Sequence, residues 1–146
     1  MASQKEQQAL MNLSTIHPFN KLSDEGKKLL EERLEYKYFP IGERIYREDE
    51  LPYEVNLIIK GEARILVKSM VDNSLITIER KGQGSIIGWV GLLRGKACET
   101  IQVCKDIEAI SIPSEVFVRL CITEQDFSQY FDERVDASET WDTLKE

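Results

Sequence analysis

Between Gly82 and Val103 the chain reads GQGSIIGWVGLLRGKACETIQV, a run whose residue types could hold an anion. Glycines punctuate a turn, a short apolar stretch follows that suits one turn or two of helix, and a strand returns. Glycine lets a backbone approach an anion closely, and N–H groups at a helix start favour negative charge. The candidate ligand-binding residues are Gly88, Trp89, Val90, Gly91, Arg94, Lys96, Glu99 and Thr100. Arg94 and Lys96 are the nearest cations and could turn inward over the Gly88–Gly91 backbone, or remain solvated. Trp89 could stack on a ligand ring, fill the pocket or dock a partner. Glu99 would repel an anion, or pair with Arg94 or Lys96. Thr100 could bond a ligand or satisfy backbone in its own loop.

Other chemistries find little support in the composition. The single histidine, His17, precedes Pro18 in an expected loop, and the carboxylates are dispersed, so there is no metal-ligand cluster. No Ser-His-Asp or Cys-His set forms without His17. Cys98, Cys104 and Cys121 include no CxxC pair and read as reduced thiols packed as small apolar groups. A formal charge of −7 argues against a nucleic-acid surface. The longest apolar candidate, Ile86 to Leu93, falls far short of the roughly 20 residues of a membrane span. The N-terminus is polar and lacks a signal-peptide core. No catalysis, metal, resident cofactor or direct membrane insertion is expected. The start methionine reads as a true beginning, whereas ASETWDTLKE reads as a cut from a longer chain.

The elements that must position this loop are mostly strands. Residues 1–17 read as a flexible or helical lead-in, with Leu10, Leu13 and Ile16 as a short apolar stripe. Ser23 before Asp24 and Glu25 predicts a helix N-cap, the helix running to about Leu34 and weakened by Gly26. Strand-like segments then recur near 35–39, 43–47, 54–60, 62–69, 75–81, 85–87, 98–104 and 107–112, separated by turn residues. In 54–60 Ile58 blurs the alternation. Ser114 is expected to cap a helix with Val116, Phe117, Leu120 and Cys121 on one face. Thr123 and Asp126 form a near capping box before Phe127, Tyr130, Phe131 and Val135, and Trp141 and Leu144 extend the stripe. The fold class is mainly β with flanking helices: an eight-stranded antiparallel jelly-roll barrel, a helix before it and one or two after.

Several segments resemble the cyclic-nucleotide-binding domain family. PIGERIYRED resembles its early proline-glycine-glutamate turn, LIIKGEARILV its strand–glycine–strand hairpin, and GQGSIIGWVGLLRG its phosphate-binding cassette. The resemblance covers roughly residues 18–135, leaving 136–146 as a helical extension or the start of a linker. A narrower resemblance joins YREDELPYEVNLIIKGEARIL with IGWVGLLRGKACETIQV. Gly88-Trp89, Leu92-Leu93-Arg94-Gly95 and Cys98-Glu99-Thr100 are similar to a variant domain at the N-terminus of bacterial haemolysin- or bacteriocin-type ABC exporters.

That family places a glutamate after the cassette glycine, for the ribose hydroxyl, and an arginine near the cassette's end, for the cyclic phosphate. Here Trp89 holds the first position, and Glu99 or Cys98 the second according to the alignment. Losing one member of a buried charge pair costs about 2–5 kcal/mol, at about tenfold in affinity per 1.4 kcal/mol. Conventional cAMP or cGMP binding is therefore not expected, although a cyclic nucleotide is the ligand the family implies. The resemblance implies a regulatory or docking domain on the cytoplasmic side of an inner-membrane exporter. Its partners would be the exporter's membrane and ATPase domains and its transport substrate. The alternative is a cyclic-nucleotide or other anion sensor of a signalling protein or transcription regulator. The latter needs a basic helix-turn-helix, for which the acidic residues 123–146 are too short. A cupin-type enzyme needs clustered histidines, and one histidine opposes it.

Overall fold

Two long antiparallel strands carry the architecture of the computed structural model, which describes residues 4, 13, 15–95 and 99–134. After a 3-10 turn at Phe19–Lys21 come helix α1 (Asp24–Arg33) and strands β1 (Glu35–Phe39), β2 (Arg44–Tyr46), β3 (Glu54–Lys68), β4 (Leu75–Lys81) and β5 (Ile86–Ile87). Helix α2 (Trp89–Arg94), strand β6 (Thr100–Pro113) and helices α3 (Ser114–Thr123) and α4 (Gln125–Asp132) complete it. Strands β3 and β6 pair side by side; β1 and β2 add to β6, and β4 and β5 to β3, all antiparallel.

The eight expected strand segments are therefore joined into six among the described residues. Segments 54–60 and 62–69 are one strand, β3, and most of 98–104 runs on into 107–112 as β6. The expected breaks survive as irregularities. The β3–β6 register shifts between Ile58 and Ala63, around Gly61, where the Asp106 carbonyl oxygen packs too closely for any side chain. Such a bulge bends a strand without ending it.

Alternation along these strands divides the interior in two. Val55 and Leu57 of β3, Ile86 of β5 and Ile110 and Ile112 of β6 face the helices, with Phe19, Leu30, Val116, Phe117, Leu120, Phe127 and Phe131. Ile58, Ile65, Ile87, Ile101, Val103, Ile107 and Ala109 face the other way and fill the barrel with Tyr46. Both faces of β3 are buried, which is why Ile58 disturbs a pattern that assumes one wet face.

Ser23 caps α1 as expected, its hydroxyl accepting from Gly26 N–H at 3.1 Å. Glu124, at the joint between α3 and α4, reinforces that cap from the far end of the chain. Its carboxylate accepts from Ser23 N at 2.6 Å and Ser23 Oγ at 2.9 Å. A Cβ on Gly26 would lie 3.1 Å from that carboxylate, so the glycine expected merely to weaken the helix makes room for a tertiary clasp. Glu124→Ala is expected to lower stability by about 1–2 kcal/mol, the scale of a lost N-cap, read by urea denaturation. A loss within error would show that the clasp contributes nothing.

Two expected caps do not form. Ser114 is the first residue of α3 and makes no side-chain cap, because Pro113 holds the N-cap position. Thr123 Oγ1 donates back to Arg119 O at 2.9 Å, and Glu124 rather than Thr123 precedes α4. Phe127 and Phe131 of the expected stripe are buried, with Tyr130 packed at its edge. Leu13 is buried and Ile16 packs against the same cluster. Leu10, Cys98, Val135, Trp141 and Leu144 lie outside the described residues. Cys104 and Cys121 are free thiols, and burial pushes the latter's pKa up to about 12, in keeping with an inert packed group.

Candidate functional site

The cassette opens at Gly88, which sits in the left-handed region (φ 90°) between β5 and α2. Its backbone rests on the Tyr46 ring: a Cβ here would approach Tyr46 Cε1 to 2.7 Å and the ring's hydroxyl end more closely still. Tyr46 cannot withdraw. Its hydroxyl donates to the Glu54 carbonyl oxygen at 2.9 Å, with the Ile87 carbonyl oxygen at 3.2 Å as a second acceptor. It accepts from Asn56 Nδ2 at 2.7 Å, and Asn56 Oδ1 accepts from Ser111 Oγ. All three side chains are buried. Burial raises the Tyr46 phenol pKa far above its usual value; the Asn56 hydrogen bond opposes this, and the nearby Glu54 and Glu99 carboxylates add to it. The phenol therefore stays neutral and can donate.

This network was missed in the sequence. Its signal is two polar residues inside apolar runs, Asn56 in VNLII and Ser111 in AISIP, which face each other across the β3–β6 ladder. Tyr46→Phe leaves the buried Asn56 amide without that acceptor. The expected loss is about 1–3 kcal/mol, measured by urea denaturation. An unchanged midpoint would mean that the network does not anchor the cassette floor.

The seven candidate residues that the structure describes do not converge on one cavity. Trp89 is 6% exposed and lies in the helix-side core, its ring centroid 5.2 Å from that of Phe131 on α4. It thus fills helix-side space, and the barrel interior beneath Gly88 is closed by Tyr46 instead. Val90 and Gly91 are buried along α2. Arg94 turns toward α4. Its Nη2 lies 3.4 Å from Phe131 O and 3.3 Å from Arg134 O, and its guanidinium 5.8 Å from the Trp89 ring. Carbonyls at a helix end attract a cation, since they lack intrahelical partners and carry the negative end of the dipole.

Glu99 is 7% exposed at the entry to β6, close enough to Tyr46 to influence its ionisation. Thr100 is buried, and its Oγ1 accepts from Glu48 N–H at 3.3 Å, tying the cassette's return to the β2–β3 loop rather than to its own loop. Lys96, and with it the expected Lys96–Glu99 pairing, lies outside the described residues. Among the described residues no three His, Cys, Asp or Glu side chains form a metal-binding group. No described helix is long and apolar enough to cross a membrane.

The pattern that defines the cyclic nucleotide-binding domain matches residues 36–124, well over half of the chain, and the chain belongs to that family. Solved structures share the fold. A regulatory subunit of a cAMP-independent protein kinase A from Trypanosoma brucei, as a triple mutant bound to cAMP in its A site, superposes with a TM-score of 0.79 at 15% identity. That match covers 97% of this chain and 52% of the subunit, so the chain spans about half of that relative's length. The regulatory domain of Toxoplasma gondii protein kinase A, co-crystallised with cAMP, gives 0.75 at 16% identity over 90% of this chain and 51% of its own. The sensor domain of the transcriptional regulator DNR from Pseudomonas aeruginosa gives 0.73 at 13% identity, covering 92% and 99%. No curated protein sequence matches this chain.

Proposed function

We propose that this chain is a regulatory or docking domain whose cassette is closed by its own side chains instead of by a cyclic nucleotide. The observation that carries this is the placement of Trp89. Where the family's cassette has a ligand-facing glutamate, the chain has an indole packed on Phe131. The buried Glu99 near the cassette's end and the turn of Arg94 toward α4 support the same reading. In place of a ligand, the cassette holds α4. The unit so formed spans roughly residues 18–135 and performs no catalysis. Regulation without cAMP has a precedent in this fold, since the Trypanosoma brucei subunit belongs to a cAMP-independent kinase. One of the three changes in its cAMP-bound form brings in an arginine in place of a threonine.

The parent we propose is an inner-membrane ABC exporter of peptides or proteins, with this domain on its cytoplasmic side. Its partners would then be the exporter's membrane and ATPase domains and the transport substrate. Support comes from the combined wording of Gly88-Trp89 and Cys98-Glu99-Thr100. The test is to read the gene beyond codon 146. Continuation into membrane spans and an ATPase is the expected result, and a stop or a basic helix-turn-helix contradicts it. A second reading, a cyclic-nucleotide sensor, draws on the Toxoplasma gondii domain co-crystallised with cAMP and is separated from the first by ligand titration.

A further inference from the structure

We propose that the cleft between the β4–β5 turn and helix α4 is an oxyanion site that takes a phosphate group. Its volume is about 380 Å³, and Lys81, Ser85, Trp89, Tyr130 and Arg134 line it. Its cations come from two elements, Lys81 from the end of β4 and Arg134 from just beyond α4. The Arg134 guanidinium is held 3.5 Å from the centroid of the Tyr130 ring, and its Nη1 donates to Tyr130 O at 3.0 Å. Neither contact neutralises it, and among the described residues Arg134 makes no ion pair. Lys81 pairs with Glu79 at 3.1 Å, and Arg94 sits behind the Arg134 backbone with Nη2 3.3 Å from its carbonyl oxygen. The cleft thus gathers an ammonium and a guanidinium on a chain of formal charge −7.

The lining selects the chemistry. Trp89 is 6% exposed, and the Tyr130 ring is already contacted by Arg134, His17 and Phe131, so little aromatic face is left for stacking a base. The Gly84 and Ser85 amides are committed to Ile58 O and Gly82 O, so side chains must carry recognition. A planar guanidinium fork, an ammonium and a hydroxyl suit a tetrahedral dianion. The group can belong to free phosphate or to a phosphorylated side chain of a partner. Ser85 and Trp89 belong to the cassette run while the two cations lie outside it, and the site does not depend on the exporter reading.

The test is a titration of the 146-residue chain with inorganic phosphate and, separately, with a phosphoserine peptide, followed by amide chemical shifts at fixed ionic strength with chloride as control. Saturable shifts at Lys81, Ser85, Tyr130 and Arg134 that chloride does not produce are expected. Arg134→Gln, an exposed change, should weaken binding about tenfold or more. Tighter binding of phosphate assigns the site to a small anion, and tighter binding of the peptide assigns it to a phosphorylated partner. Absence of saturable shifts with both probes, or equal affinity in Arg134→Gln, overturns the proposal.

Discussion

Replacing Gly88 with alanine is expected to destabilise the domain by about 2–6 kcal/mol, the sum of a left-handed backbone penalty and an overpacking penalty of about 1–3 kcal/mol each. The first follows from φ 90° and the second from the Tyr46 ring beneath. Relief would require Tyr46 to leave the Glu54, Ile87 and Asn56 groups that hold its hydroxyl. Gly84→Ala separates the two terms. Gly84 also has a positive φ, of 87°, but open space where the Cβ would go, so only the backbone penalty of about 1–3 kcal/mol applies. Urea denaturation of both variants checks the difference. Equal losses would mean that Tyr46 gives way and is no fixed floor for the cassette.

The second large effect is expected from Trp89→Ala. Removing a buried aromatic costs about 3–5 kcal/mol. The loss should be local as well as large, because the indole joins α2 to α4 through Phe131 and backs the Arg94 contact with α4. Hydrogen exchange should therefore show α4 amides losing protection while β3 and β6, paired along their length, retain theirs. Uniform loss across barrel and helix would show that Trp89 is an ordinary core residue and that α4 is not held by the cassette. Trp89→Phe, which keeps an aromatic on Phe131, should restore much of the protection.

The barrel was readable because its signals are local. Short apolar segments, turn residues between them and an N-cap at Ser23 each report on a few neighbouring residues. Joining eight segments into six strands was not readable, since Gly61 is equally suited to a hairpin turn and to a bulge. Only the ladder to β6 decides between them. The site was legible as a place but not as an arrangement. Gly88 as the opening of the cassette and Glu99 or Cys98 in place of the family's arginine follow from the cassette's wording, whereas the burial of Glu99 appears only in the structure. The direction of Trp89 depends on Phe131, 42 positions later in the chain (131 − 89), and the role of Glu124 on Ser23, with a separation of 101. Tyr46 gave no sign of its part, because a tyrosine in a strand is commonplace until Gly88 is placed on its ring.

The central claim is that the cassette is closed by the chain itself. Its most direct test is calorimetric titration of the domain with cAMP, cGMP and cyclic dinucleotides at low salt. Without the family's arginine, and with Glu99 buried near the cassette's end, a micromolar site would weaken by about 2–5 kcal/mol, to millimolar or beyond. The account predicts no saturable heat for any of them up to millimolar concentration. Saturable micromolar binding to any one would contradict it, and would place a ligand where Tyr46, Trp89 and Glu99 are here assigned to the chain's own packing.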